Sequence, residues 1–392
     1  MKLDSLYEVG YSSLNHVGEE LCGDHVEIRK GKSGEVTLVL ADGLGSGVQA
    51  SILSTLTSKL LATLLSGGLS LDEAVNSIIK TLPLAKNRGN VAYSTFSILM
   101  VNASNHFHLV NYDNPTPLFI RNGKIFPLGY EAKEVLGKKL YIAEGDLELF
   151  DTILLMSDGV LHAGIGETLN FGWSEGEIAS YMEALYDKSI SSKNLATLLT
   201  DHCSILYNGR PGDDTTVAVL RKREPCVTHY MVGPATSKED DKQMMEAFLS
   251  PSDRHLVSGG TSAKVVANYL NEEIGTDLVY IEPDIPPISS INGVDLVTEG
   301  VITLNKLVAV AKDYLGANKK YFDWSFKQDA VSLLAKTLFE ESTEIDFYVG
   351  CAVNPAHQDP RFHIDITIKL DLVNELAKLL KEMGKIVSIS YF

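Results

Sequence analysis

Val39-Leu40-Ala41-Asp42-Gly43-Leu44-Gly45-Ser46-Gly47 is the stretch on which the reading of this 392-residue chain turns. An apolar strand over 36–40 ends in a carboxylate, a glycine turn follows, and a helix begins beyond it. Over 48–65, Val48, Ile52, Leu53, Leu56, Leu60, Leu61, Leu64 and Leu65 recur at helical spacing, and Gly67-Gly68 closes the run. The same device recurs at Leu154-Leu155-Met156-Ser157-Asp158-Gly159. Asp213-Asp214 then precedes the strand-like Thr215-Thr216-Val217-Ala218-Val219-Leu220. Carboxylates fixed at three strand ends are what a hard divalent cation needs from a protein. A single Asp-Gly pair is ordinary turn chemistry; the set points to metal-assisted hydrolysis.

Around these turns, residues 1–223 read as one domain. Ser70 opens a second helix over 71–82, stopped near Pro83. Strands follow at 93–101, 107–112 and 118–126, with hairpin turns at 102–105 and Asn122-Gly123. A further helix covers 192–206. Short antiparallel strands between helices predict a sheet covered by helices, not a doubly wound parallel sheet. The charge cluster Arg221-Lys222-Arg223-Glu224 and Pro225 mark a boundary. Residues 224–392 alternate strand and helix more regularly and predict a second α/β domain with a mixed, partly parallel sheet. Its helices are expected at 238–248, 263–270, 303–315, 325–340 and 371–383 and its strands at 228–232, 255–258, 278–281, 347–353 and 385–391.

Composition narrows the function. The chain is 45% hydrophobic with a formal charge of −17, which argues against nucleic-acid or anionic-membrane binding. No apolar run is expected to reach the length of a membrane span. The opening residues carry no signal-like apolar stretch, which predicts a cytoplasmic protein. Cys22, Cys203, Cys226 and Cys351 are widely spaced, so four buried, reduced thiols are expected.

Five fragments follow one another along the chain: Cys22-Gly23-Asp24, Ala41 to Gly47, Asn114-Pro115-Thr116-Pro117, Ser157-Asp158-Gly159, and Gly212 to Val217. In this order, over residues 10–222, they resemble the metal-dependent protein phosphatase family of type 2C (PPM), in its bacterial SpoIIE-like branch. The resemblance implies an antiparallel β-sandwich flanked by helices (the PPM-type αββα arrangement). It also implies two Mn2+ or Mg2+ ions sharing a water aimed at phosphorus. By resemblance Asp42 bridges both ions, the Gly43 carbonyl serves the first, Asp158 and Asp213 serve the second, and Asp24 acts through water. Asp214 is a secondary candidate beside Asp213.

Two departures stand out. Leu44 replaces the histidine that eukaryotic members carry as a candidate acid, and leucine cannot transfer a proton. Residues 7–21 contain no arginine to grip phosphate. His16, Arg88 and Arg210 are the remaining candidates, and amides at the start of helix 48–65 would also favour an anion.

In the second domain, Ser258-Gly259-Gly260-Thr261-Ser262 joins a strand to a helix. Gly259, Gly260, Thr261 and Ser262 there are candidates for holding an anion or small-molecule effector, against a plain capped turn. Asp295, Thr298 and Glu299, and Asn354, His357 and Asp359, form two further polar clusters. The pattern resembles tails of some SpoIIE-like phosphatases of anaerobic bacteria. A regulatory sensor is expected, with a structural or homodimerising role as the alternative.

The expected activity is a protein-serine/threonine phosphatase acting on a bacterial signalling phosphoprotein, such as an anti-sigma-factor antagonist. That substrate class follows from the resemblance. The rival is a degenerate phosphatase that binds phosphoproteins or transmits a signal.

Overall fold

A computed structural model describes residues 6–31, 34–81, 94–135, 137–276, 282–352 and 363–392. Arg88, the strand expected at 278–281 and the cluster of Asn354, His357 and Asp359 lie outside the described residues. The chain forms two compact units, Met1–Glu224 and Pro225–Phe392.

The first unit begins β1 (Leu6–Leu14), β2 (Asp24–Lys30), β3 (Val36–Gly43), α1 (Gly47–Ser66) and α2 (Leu71–Thr81). It continues through β4 (Ser94–Val101), β5 (His106–Tyr112), β6 (Leu118–Arg121), β7 (Lys124–Ile125), β8 (Glu131–Val135) and β9 (Lys138–Asp146). It closes with β10 (Thr152–Met156), α3 (Gly159–His162), α4 (Glu175–Leu185), α5 (Ser192–Leu206) and β11 (Thr215–Arg223). The strands make two antiparallel sheets, ordered β1-β11-β10-β6-β7 and β2-β3-β4-β5-β9-β8.

β3 explains its own sequence. Leu38 and Leu40 pack in a cluster with Ile153, Leu155, Ala218 and Leu220 of the opposite sheet. Val39 and Ala41, on the other face, meet Leu53, Leu61 and Ala62 of α1 and Ile78 of α2. Burial on both faces demands a continuous apolar run rather than alternation. On the far side, α4 and α5 lay Ile178, Met182, Leu195 and Leu199 over Leu154, Met156, Val217 and Val219. The result is the expected sandwich of antiparallel sheets between helices. Asn122 and Gly123 both hold positive φ, 51° and 74°, as a two-residue hairpin requires. Ser70 caps α2, exchanging hydrogen bonds with Glu73.

Two expectations change here. α1 is 20 residues long and apolar enough by length and composition to cross a membrane, because its Ser and Thr residues replace charges. Nine of its residues are nonetheless buried in the first unit. Of the four cysteines only Cys203 is fully buried; Cys22, Cys226 and Cys351 are half-buried, and all are free thiols.

The second unit runs β12 (Val227–Val232), α6 (Lys238–Phe248), β13 (Arg254–Ser258), α7 (Gly260–Leu270), β14 (Gly275–Thr276), β15 (Ser289–Ile291) and β16 (Val294–Thr298). Then come α8 (Val301–Leu315), α9 (Tyr321–Trp324), α10 (Ala330–Ala335), a π-helical turn (Lys336–Glu341), β17 (Glu344–Val349), α11 (His363–Glu382) and β18 (Ile386–Tyr391). Its sheet is ordered β14-β15-β16-β13-β12-β17-β18, with β16 to β18 parallel and β14 and β15 antiparallel at one edge. The parallel strands therefore reverse direction of growth between β12 and β17, a doubly wound order. The single helix expected at 325–340 is broken. The Asp329 carboxylate accepts from the Val331 and Ser332 amides at 3.1 Å and starts a new helix there.

Gly10 of β1 lies under the start of α5, where an added Cβ would sit 2.3 Å from the Lys193 backbone nitrogen. Gly10→Ala is expected to destabilise the protein by about 1–3 kcal/mol, seen as a lower urea midpoint. Gly176, in α4 with nothing within 4 Å of its added Cβ, is the control. Its alanine variant should hold or gain about 0.5–1 kcal/mol.

Candidate metal centre

The β2–β3 register sets Asp24 directly opposite Asp42, at the end of the pair away from their connecting turn. On its other side Asp42 pairs with Thr95 of β4. That strand end is tightly held. Ser94 Oγ donates to the Asp42 carbonyl at 2.6 Å, Thr95 Oγ1 donates to Asn114 Oδ1 at 2.5 Å, and Asn114 Nδ2 donates to Ser97 Oγ at 3.0 Å. Asn114 thus buttresses β4, the strand paired beside the one that carries Asp42. Gly43 is obligatory for packing: an added Cβ would lie 2.1 Å from the Ala50 carbonyl oxygen of α1.

The opposite sheet brings the remaining carboxylates. β10 and β11 are antiparallel neighbours, so the residues after β10 and before β11 share one end of the sheet. Ser157 N–H donates to the Thr216 carbonyl at 3.0 Å, and Thr216 N–H donates back to Ser157 Oγ at 2.8 Å. This clamp places Asp158 beside Asp213 and Asp214. Asp214 is buried; its Oδ1 accepts from the His16 amide at 3.0 Å, and its Oδ2 packs against Gly23, next to Asp24. His16 therefore serves the cluster through its main chain.

His162 was not visible as a site residue in the sequence. It stands one turn beyond Asp158, with Nδ1 3.1 Å from Asp213 Oδ2 and 3.9 Å from Asp158 Oδ2. One ligand atom from each of Asp158, His162 and Asp213 lies within 4.8 Å of the others. The four-residue spacing in Asp158-Gly159-Val160-Leu161-His162 was the available signal.

The electrostatics are those of crowded anions. Burial pushes the Asp42 carboxyl up to about 9, and the charges of Asp24, Asp158 and Asp213 add to the rise. Asp42 thus feels Asp24 from its own sheet and Asp158 and Asp213 from the other. Burial pushes Asp24 up to about 7; the Ser157 and Thr216 hydroxyls pull against it, and Asp214 and Asp158 reinforce it. Burial also raises Asp213, against its hydrogen bond with His162. Among the described residues, His162 is the one basic side chain ion-paired with any of these aspartates. Both Asp24 oxygens and Asp214 Oδ2 are buried without a well-formed hydrogen bond. Buried carboxylate oxygens lacking partners are costly unless a cation satisfies them. An all-oxygen cluster with one imidazole at its rim fits Mg2+ or Mn2+.

The other candidates lie apart or are otherwise occupied. Leu44 is 63% exposed, and Arg210 is exposed. α1 starts at Ser46 with no side-chain cap and no acidic residue in its first turn, and Ser46 Oγ donates to Glu19 at 3.4 Å. In the second unit, Ser262 Oγ donates to the Ser258 carbonyl and accepts from the Gly233 amide. Ser258 Oγ sits in a hydroxyl chain with Tyr230 and Thr298. These hydroxyls hold the fold, and the Gly259 amide donates to the Thr298 carbonyl at 2.9 Å.

Residues 32–223 match the family model described as Stage II sporulation protein E (SpoIIE). No curated protein matches the sequence. Among solved structures, the phosphatase domain of SpoIIE from Bacillus subtilis shares 18% identity, covering 57% of this chain and 95% of that one, with a TM-score of 0.44. RsbX in complex with magnesium shares 19%, covering 57% and 98%, with a TM-score of 0.41. The RsbU and RsbW domains of a Mycobacterium tuberculosis protein share 15%, covering 84% and 80%, with a TM-score of 0.49.

The raised carboxyls have a measurable consequence. In the metal-free chain, Asp24 and Asp42 keep protons that the unfolded chain loses near the ordinary carboxylate pKa of about 4. The stability they contribute is complete below that pH and is lost as pH rises through about 7 for Asp24 and about 9 for Asp42. The Tm of metal-free protein is therefore expected to fall from pH 5 to 9. Asp42→Asn should flatten the upper part of that fall in a scanning-fluorimetry series.

Proposed function

Residues 32–223 belong to the SpoIIE family, and on that premise we propose that this protein is a metal-dependent phosphoserine/phosphothreonine protein phosphatase. The observation that carries the reading is the meeting of Asp24 and Asp42 from one sheet with Asp158, Asp213 and Asp214 from the other, with buried oxygens left unsatisfied. Asp42, with the Gly43 carbonyl, Asp158 and Asp213, would hold two Mn2+ or Mg2+ ions, and Asp24 would act on them through water. When bound, such ions offset phosphate charge and make water a stronger nucleophile at neutral pH.

The chain's own residues orient and exclude. Ser94, Thr95 and Asn114 hold the Asp42 strand end, so its carboxylate would meet a cation without reorganisation. Gly43 lets α1 pack against that end, which sets the uncapped start of the helix close to the metal ligands. The Glu19 carboxylate stands against that start, beside Ser46 and Gly47. Leu44, an exposed leucine next to Gly43, moves no proton.

The substrate we propose is a small bacterial signalling phosphoprotein, such as an anti-sigma-factor antagonist, met in the cytoplasm. The second unit is read as its regulatory domain, responding to a small molecule or anion at the Gly259–Gly260 turn. A doubly wound sheet collects ligands at the carboxyl ends of its strands, where this turn lies.

Asp42→Asn and Asp158→Asn should each lower Mn2+-dependent hydrolysis of a phosphoserine peptide or p-nitrophenyl phosphate by at least about 100-fold. Unchanged metal-dependent turnover in both variants would sink the site assignment.

A further inference from the structure

We propose that His162 Nδ1 is itself a ligand of the second ion, beside Asp158 and Asp213, so that this position is a mixed nitrogen–oxygen site. It thereby favours Mn2+ over Mg2+. The inference rests on the metal-dependent reading of the same cluster.

The geometry is that of a coordination edge. With metal–ligand bonds of about 2.1 Å, neighbouring ligand atoms of an octahedron lie about 3.0 Å apart and opposite ones about 4.2 Å apart. His162 Nδ1 is 3.1 Å from Asp213 Oδ2 and 3.9 Å from Asp158 Oδ2. All three ligand atoms lie within 4.8 Å of one another. The fourth residue after Asp158 falls on the same side of the helical turn, so both side chains project together. Tyr207 anchors that turn, its hydroxyl donating to the Gly159 carbonyl at 2.7 Å.

Packing does not account for this histidine. Its side chain is 47% exposed, and its bonding partners are the two carboxylates. An independent sign of a missing cation lies deeper in the same cluster, where both Asp24 oxygens and Asp214 Oδ2 are buried without a well-formed hydrogen bond. Mg2+ takes oxygen ligands in a strict octahedron and dehydrates reluctantly. Imidazole suits the later divalent ions, and Mn2+ precedes them in the same affinity order. One nitrogen ligand therefore tilts the second position away from Mg2+.

The test is pulsed electron paramagnetic resonance on the full chain loaded with Mn2+, together with competition between Mn2+ and Mg2+. Wild-type protein is expected to show 14N modulation from a directly bound imidazole, lost in His162→Asn. His162→Asp keeps a carboxylate and the metal, and should lower the Mn2+-to-Mg2+ affinity ratio by about tenfold. Mn2+ bound at the aspartates without nitrogen coupling overturns the proposal and leaves the phosphatase reading intact. Mn2+ affinity that is absent, or unchanged in Asp158→Asn and Asp213→Asn, overturns both.

Discussion

Carboxylates forced together at the meeting ends of two sheets govern the first unit. Burial and mutual repulsion hold Asp42 and Asp24 far above the ordinary carboxylate range. A fold retains such a cluster only if the surrounding frame over-determines it or a cation relieves it. The frame is visible: the hydroxyl and amide bonds around Asp42, and the Ser157–Thr216 clamp beneath Asp158 and Asp213. Each bond fixes a strand end rather than a loop, which is how aspartates remote in sequence can be held together in one place.

The second unit follows a different rule. Its parallel strands place glycine turns and helix starts along one sheet edge, and its hydroxyls are largely spent inside the fold. Ser258 and Ser262 tie β12, β13 and α7 together.

Much of this was legible in the chain because the strongest signals are local. A strand buried on both faces reads as an unbroken apolar run, as β3 does, and Asn122-Gly123 and Ser70 announce a hairpin and a helix start. The segments that escaped reading are those whose partners are remote. β8 is almost wholly exposed and polar, so its pairing with β9 leaves no periodicity. β1 carries Gly10 because α5 crosses it closely, and Ser12 on the same face meets Thr200 of that helix at 2.8 Å. α4 does carry a local signal, the Ser174–Glu177 capping box at its start. The break at Asp329 depended on a carboxylate choosing backbone amides over solvent.

The sequence by itself determined which carboxylates end strands and where the apolar faces lie, because turn chemistry and periodicity are short-range. Only the tertiary structure decided that Asp24 stands opposite Asp42, that Asp214 turns inward toward Gly23, and that His162 joins Asp158 and Asp213. Those relations span sheets whose register and stacking are set by the packing of the core, and no local pattern encodes a distance across it.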